Sequence, residues 1–190
     1  MDVAGLVLAA GGGRRYGMAK ALVPYRGLPL VRHAAAVAEA GGCARTLVVV
    51  GAEAARVRAA APGLTFVDNP DWHTGMASSL RAGLAALVGT PAVAALVLLV
   101  DMPGVTPAAV RRVAAQAAPG ALVMGGYGAR RGHPVLLGRD HWSGVADSAT
   151  GDHGAREYLR RHAEAVRVVD VGDVADDIDA DTPDILAGFA

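Results

Sequence analysis

The sequence predicts an α/β fold with a mainly parallel central sheet. Three observations carry this reading. Short apolar runs of strand length alternate with alanine-rich stretches of helical length. Glycine or proline closes several of them, as at Gly41-Gly42, Gly51 and Pro62-Gly63. The polar residues gather just after the strands, where open α/β sheets bind their ligands.

The elements follow in order. Val3–Ala9 is a continuous apolar run and reads as a buried strand. Leu30–Ala40 reads as a helix stopped by Gly41-Gly42. Thr46–Val50 is a second buried strand, Glu53–Ala61 a helix and Thr65–Asp68 a third strand. Ser78–Leu87 reads as a helix with Ser78 as its N-cap. Ala94–Val100 is the strongest strand. Thr106 then caps a helix with Pro107 in its first turn, running to about residue 118. Ala121–Met124 and Pro134–Leu137 are strands with no helix between them, so Gly125–Gly132 reads as their connection. Gly154–His162 is helical, Val166–Val171 is a late strand, and Thr182–Phe189 is a final helix.

At 190 residues the chain has the length of one domain, 1–190. Its 18 basic and 18 acidic side chains balance, which leaves no overall field for nucleic acid or an anionic membrane. The longest apolar run, Ala92–Val100, is far short of the roughly 20 residues a membrane span needs. Asp2 stands where a signal peptide carries positive charge. One cysteine, Cys43, makes neither an intrachain disulfide nor a cysteine metal cage. The expectation is a soluble cytoplasmic protein. Of the 18 basic residues only Lys20 is a lysine, and it sits in a glycine-rich loop.

That loop is Leu8-Ala9-Ala10-Gly11-Gly12-Gly13-Arg14-Arg15-Tyr16-Gly17-Met18-Ala19-Lys20. Glycines let backbone N–H groups approach phosphate oxygens, and Arg15 and Lys20 supply the opposing charge. Walker A fails, because Met18 rather than lysine follows Gly17. The dinucleotide fingerprint fails as well, because Tyr16 occupies its sixth place and no acid lies between Asp2 and Glu39. A second segment, Asn69–Leu80, places Gly75 before a helix whose first turn carries hydroxyls, and this suits an anion or a base edge. Trp72 within it reads as a core residue. Asp101-Met102-Pro103 sets a carboxylate at the end of the strongest strand, as Mg²⁺ requires.

Three later segments complete the set. Arg131-Gly132-His133-Pro134 offers His133, placed in a turn, as an acid/base or phosphate contact. Gly151–Arg156 is a tight loop opening a helix, either an anion seat or a simple cap. Asp176–Pro183 is acid-rich. Asp181 there is a second metal carboxylate if the two strand ends converge, with Asp176 and Asp177 a solvated face. The six histidines show no zinc spacing.

Six ordered motifs can now be written: LAAG-x3-R-x-G-x2-K, NP-x-W-x2-GM-x2-SL, DMP, GHPV, GD-x-GAR and D-x-DTP. Together, from Leu8 to Pro183, they resemble the MobA-like nucleotidyltransferases, and within them the molybdenum cofactor cytidylyltransferases. The resemblance implies a Rossmann-like, GT-A-like nucleotidyltransferase fold, a three-layer sandwich. It implies a Mg²⁺-dependent transfer of CMP from CTP to the phosphate of a molybdopterin cofactor, with release of pyrophosphate. Carried over by motif, Arg15, Lys20 and Asp101 are catalytic, and Asp101 and Asp181 hold the metal. Leu8, Ala9, Ala10, Gly11, Gly12, Gly13, Arg15, Lys20, Gly75, Met76 and Ser79 bind the nucleotide. His133, Asp152, Arg156 and Asp179 meet the acceptor, and Asp179 is also a candidate for the metal shell. A molybdoenzyme or its maturation chaperone would be the protein partner.

Family members with LAAG, as at Leu8–Gly11 here, tend towards pyrimidine nucleotides and those with LAGG towards guanine, so the resemblance implies CTP; the Ala10 methyl would narrow a pocket that glycine leaves open. Gly13 departs from the family's usual serine, and Tyr16 and Ala19 depart from common Met or Phe and Pro. Three other readings stand beside this one. They are an NAD(P)H-dependent reductase of the nicotine blue oxidoreductase kind, a carrier of the pterin cofactor without chemistry, and a nucleotidyltransferase for another phosphorylated acceptor.

Overall fold

The computed structural model describes residues 1–13, 16–182, 186 and 188. Arg15, and most of the final helix expected at Thr182–Phe189, lie outside the described residues. Among the described residues nine strands form: β1 (Val3–Leu8), β2 (Pro24–Tyr25), β3 (Leu28–Pro29), β4 (Arg45–Val50), β5 (Thr65–Asp68), β6 (Ala94–Leu99), β7 (Leu122–Tyr127), β8 (Arg130–Gly138) and β9 (Val166–Asp170). The helices with described bounds are α1 (Leu30–Ala40), α2 (Ala54–Ala60), α3 (Met76–Leu87), α4 (Pro107–Ala114), α5 (Trp142–Ser148) and α6 (Arg156–Arg161).

Seven strands make one sheet in the order β5-β4-β1-β6-β8-β7-β9. β1 pairs in parallel with β4 and β6, and only β8 runs against its neighbours. The sheet is therefore mainly parallel, and its central strands read as unbroken apolar runs because both faces are covered. Alternation sorts β1 between two cores. Val3 and Val7 pack under α1 and α4, while Ala4, Leu6 and Leu8 pack under α3, α5 and α6. This is the expected Rossmann-like three-layer sandwich. Gly83 lets α3 come close, since a Cβ there would lie 2.4 Å from a Leu6 methyl. Cys43 is buried, and burial pushes its thiol up to about 12, so it is an inert filler.

Several expectations need correction. α3 starts two residues early, at Met76. Gly75, at φ 112°, turns the chain directly into the helix, so Ser78 lies inside it and is no N-cap. α4 ends at Ala114 rather than near residue 118; Pro119 disfavours helix in the residue before it, and the 115–117 turn tightens instead. The Gly125–Gly132 stretch is mostly strand, with a turn only at Gly128-Ala129, because β9 pairs alongside Gly125 and Gly126. The β2–β3 hairpin turns on Arg26 and Gly27, both with positive φ, a two-residue turn of the primed kind. α5 carries no periodicity long enough to announce it. It is held from outside, by Trp142 donating its indole N–H to the Leu137 carbonyl at 2.8 Å.

Arg139, just before α5, ties the sheet to the end of α3. Its guanidinium donates to the carbonyls of Val88, Thr90 and Ala92 and stacks 4.8 Å from the Trp142 ring centre. Arg139→Ala leaves these carbonyls without partners and is expected to cost ~2 kcal/mol. Thermal unfolding should show this as a Tm lowered by roughly 4–8 °C. An unchanged Tm would mean the fork carries no stability.

Among the described residues no helix is long and apolar enough to cross a membrane.

Candidate functional site

The carboxyl ends of β1 and β6 lie side by side, with Leu8 opposite Leu99. The glycine loop leaves β1 here. Gly13 takes φ 61°, and its carbonyl accepts from the N–H groups of Tyr16 and Gly17 at 2.9 Å each. A Cβ on Gly13 would stand 1.8 Å from the Met18 carbonyl oxygen. Only glycine fits this turn, which accounts for its presence where the resemblance expects serine.

The loop delivers Lys20 to two carboxylates. Its Nζ lies 2.7 Å from Asp101 Oδ2 and 2.5 Å from Asp181 Oδ1. Burial alone would lower the Lys20 pKa, but the two carboxylates outweigh it and raise it, so the side chain is a cation. Asp181 is brought in from far along the chain by main-chain bonds. The Asp101 carbonyl accepts from Ala180 N–H at 2.7 Å, and the Gly104 carbonyl from Asp176 N–H at 3.0 Å. Thr106 Oγ1 adds a bond to the Val174 carbonyl at 2.9 Å. From the other side, Glu53 accepts the Ala19 N–H at 3.0 Å and so pins the turn that carries Lys20.

Two cavities open at this end of the sheet. The smaller, about 470 Å³, is lined by Ala10, Gly11, Gly12, Gly13, Lys20, Gly75, Ser79 and Asp101 among others. The larger, about 800 Å³, is lined by His133, Arg156, Asp179 and the apolar ends of several strands. Leu8, Met76, Leu99 and Asp152 line both and form the wall between them. Asp152 Oδ1 accepts from Met76 N–H at 3.3 Å, so a carboxylate of the chain itself fills the N-terminal seat of α3.

Every residue expected at the acceptor therefore faces one cavity. Those expected at the nucleotide face the other, with two exceptions: Arg15 lies outside the described residues, and the Ala9 methyl is buried in the core on the α1 side. Asp181 is placed by its bond to Lys20. Asp179 lines the larger cavity, and burial and the Asp101 charge raise its pKa. Among the described residues no three acids, cysteines or histidines are grouped to hold a metal.

His133 lies on strand β8 rather than in a turn. Burial pushes its imidazole down to about 4, against the pull of Asp101 and Asp177, so it is neutral at pH 7. Asp177 is no solvated acid: its side chain is 8% exposed and pairs with Arg130 at 2.9 Å. The Gly151–Arg156 loop opens into α6 as expected, but the helix begins at Arg156, two residues later than Gly154. It also docks on α3, with the Gly151 carbonyl accepting from Ala77 N–H at 2.9 Å.

The MobA-like NTP transferase domain matches residues 5–166 of this sequence. The chain belongs to that family. It is 39% identical to the nicotine blue oxidoreductase of Paenarthrobacter nicotinovorans, over 95% of this chain and 92% of that one. It is 33% identical to the molybdenum cofactor guanylyltransferase of Rhodobacter capsulatus, over 75% and 67%. The structure of Rv0371c from Mycobacterium tuberculosis in complex with manganese is 29% identical, with a TM-score of 0.80 over 100% of this chain and 98% of that one.

In this MobA-like chain, sequence reasoning missed three contributors. Trp72 is half-buried, lines the smaller cavity and packs on Gly51, where a Cβ would lie 2.4 Å from its own. Its motif offered a signal, since it stands three residues before Gly75. Glu53 and Arg131 carried none: the first acts through a φ of 52° and a main-chain contact, and the second joins the larger cavity only because β8 is a strand.

Proposed function

We propose that the chain is a Mg²⁺-dependent cytidylyltransferase, which moves CMP from CTP to the phosphate of a molybdopterin-type cofactor and releases pyrophosphate. The observation that carries this is the Lys20 ammonium held between Asp101 and Asp181 beside the glycine loop. Two carboxylates converging on one cation are an oxygen donor set suited to Mg²⁺, with phosphates completing the shell. When bound there, Mg²⁺ would neutralise charge on the reacting phosphates. Lys20, freed from its carboxylates, binds the phosphates from the loop side. Asp101 and Asp181 orient the triphosphate. An acceptor in the larger cavity reaches the α-phosphorus across the shared wall. Its phosphate oxygen forms the new P–O bond, the bond to pyrophosphate breaks, and no protein nucleophile is needed.

The Ala10 methyl, in the wall of the smaller cavity, supports a pyrimidine over a guanine. The product would pass to a molybdoenzyme or its maturation chaperone. Pyrophosphate release with Mg²⁺ and the pterin cofactor should be fastest with CTP among CTP, UTP, GTP and ATP. Preference for GTP would overturn the base assignment and keep the reaction class.

A second reading, an NAD(P)H-dependent reductase, is favoured by the likeness to nicotine blue oxidoreductase over 95% of the chain. Oxidation of NADPH with a quinone-like acceptor, and no pyrophosphate release, would select it.

A further inference from the structure

Asp177 belongs to an acid-rich stretch, yet its side chain is 8% exposed and lines the larger cavity. Its Oδ2 stands where a side chain on Gly132 would begin: a Cβ there would lie 2.1 Å away. The glycine of the GHPV motif is therefore the gap that admits this carboxylate. Arg130 comes within 2.9 Å of Oδ1 but is 65% exposed and not lined up to donate, so Oδ1 is buried without a hydrogen bond. His133, next to Gly132 on β8, is neutral and adds no positive charge. A buried carboxylate short of donors is costly, and most such groups are satisfied. The fold does not need this one to hold its segment, which is anchored by the main-chain N–H groups of Asp176 and Ala180.

A carboxylate so placed calls for a donor from outside the chain, and the rest of the cavity says of what kind. Leu8, Leu80, Val97, Leu99, Val135 and Leu159 are among its walls, and apolar walls suit a flat heterocycle. Asp177 is not one of the four residues shared with the smaller cavity, and its charge would repel a phosphate. It therefore meets the ring of the acceptor and not its reacting end. We infer that Asp177 accepts an N–H of that ring through Oδ2 and selects a heterocycle with an exocyclic amine beside a ring N–H, the 2-amino-4-oxo edge of a pterin. This rests on the reading of the larger cavity as the acceptor site. A ring with a carbonyl in place of the amine sets oxygen against oxygen and is rejected. Gly132 is a positioning residue, acting through Asp177 by leaving room for it.

Binding of free pterin and of lumazine, its analogue with a carbonyl replacing the 2-amine, tests this by ligand fluorescence in the absence of nucleotide. Wild type should bind pterin more than about tenfold more tightly than lumazine, the scale of a hydrogen bond to a buried charge. Asp177→Asn keeps the shape, and its amide can donate to a carbonyl as well as accept, so the two ligands should come within about twofold. Gly132→Ala takes the space of the carboxylate and should reduce the same preference, with circular dichroism checking that each variant is folded. The inference is overturned if wild type binds the two ligands alike or binds neither, or if either folded variant keeps the full preference. CMP transfer by a protein without that preference would remove this inference and leave the proposed function standing. An Asp177-dependent preference without transfer would do the reverse.

Discussion

Lys20→Ala is expected to lower turnover by roughly 10²–10³-fold with the fold intact, the range seen when a preorganised charge partner of a transition state is removed. The same substitution should change metal binding in the opposite direction. The Lys20 ammonium is a cation held between Asp101 and Asp181, at 2.7 and 2.5 Å. A metal entering alone must displace it. Without Lys20 the two carboxylates lose this cation and attract a divalent ion more strongly. Manganese binding in the absence of nucleotide, followed by electron paramagnetic resonance, should therefore tighten in the variant while turnover collapses. Wild-type turnover would remove Lys20 from the reaction, and unchanged or weakened manganese affinity would mean that it does not compete for the metal site.

Asp101→Asn has the second large effect. The side chain keeps its shape but loses the charge that faces Lys20 and any metal. Activity at saturating Mg²⁺ should fall by about 10³-fold or more, the scale of removing a metal's charge stabilisation from the reacting phosphates. The protein should still fold, because the bond that clamps the Ala180 segment uses the Asp101 main-chain carbonyl. Titrating activity with Mg²⁺ separates the roles: a ligand variant needs far more metal. An unchanged Mg²⁺ midpoint would refute Asp101 as a ligand, whatever happened to the rate.

The helix Leu30–Ala40 is legible to the residue, because a proline precedes it, glycines follow it and its apolar spacing is helical throughout. The central strands are legible for a related reason: a strand covered on both faces is a plain apolar run. α5 is not legible, since seven residues including Ser143, Gly144 and Asp147 carry no stripe, and tertiary bonds from Trp142 and Arg139 decide its place. In the site, Lys20 and Asp101 are legible because one closes a glycine-rich motif and the other ends an apolar strand, while Asp181 stands among other acids and is picked out only by its motif. That they meet at one point depends on main-chain bonds 79 residues apart, between Asp101 and Ala180, which no local pattern encodes. Asn69 shows the same limit more sharply. Its motif is visible in the sequence, but composition and spacing do not express the three side-chain bonds by which it ties the turn at Asp71 to Ser78 and Ser79 of α3.

The most direct test of the account is transfer of label from CTP carrying ³²P at the α-phosphate to the pterin cofactor, with Mg²⁺ present. The account predicts labelled cofactor in amounts equal to the pyrophosphate released, dependent on Mg²⁺ and lost in Lys20→Ala and Asp101→Asn. No labelled cofactor from any α-labelled nucleoside triphosphate, with NADPH oxidised by the same folded preparation when an aromatic acceptor is supplied, would contradict it.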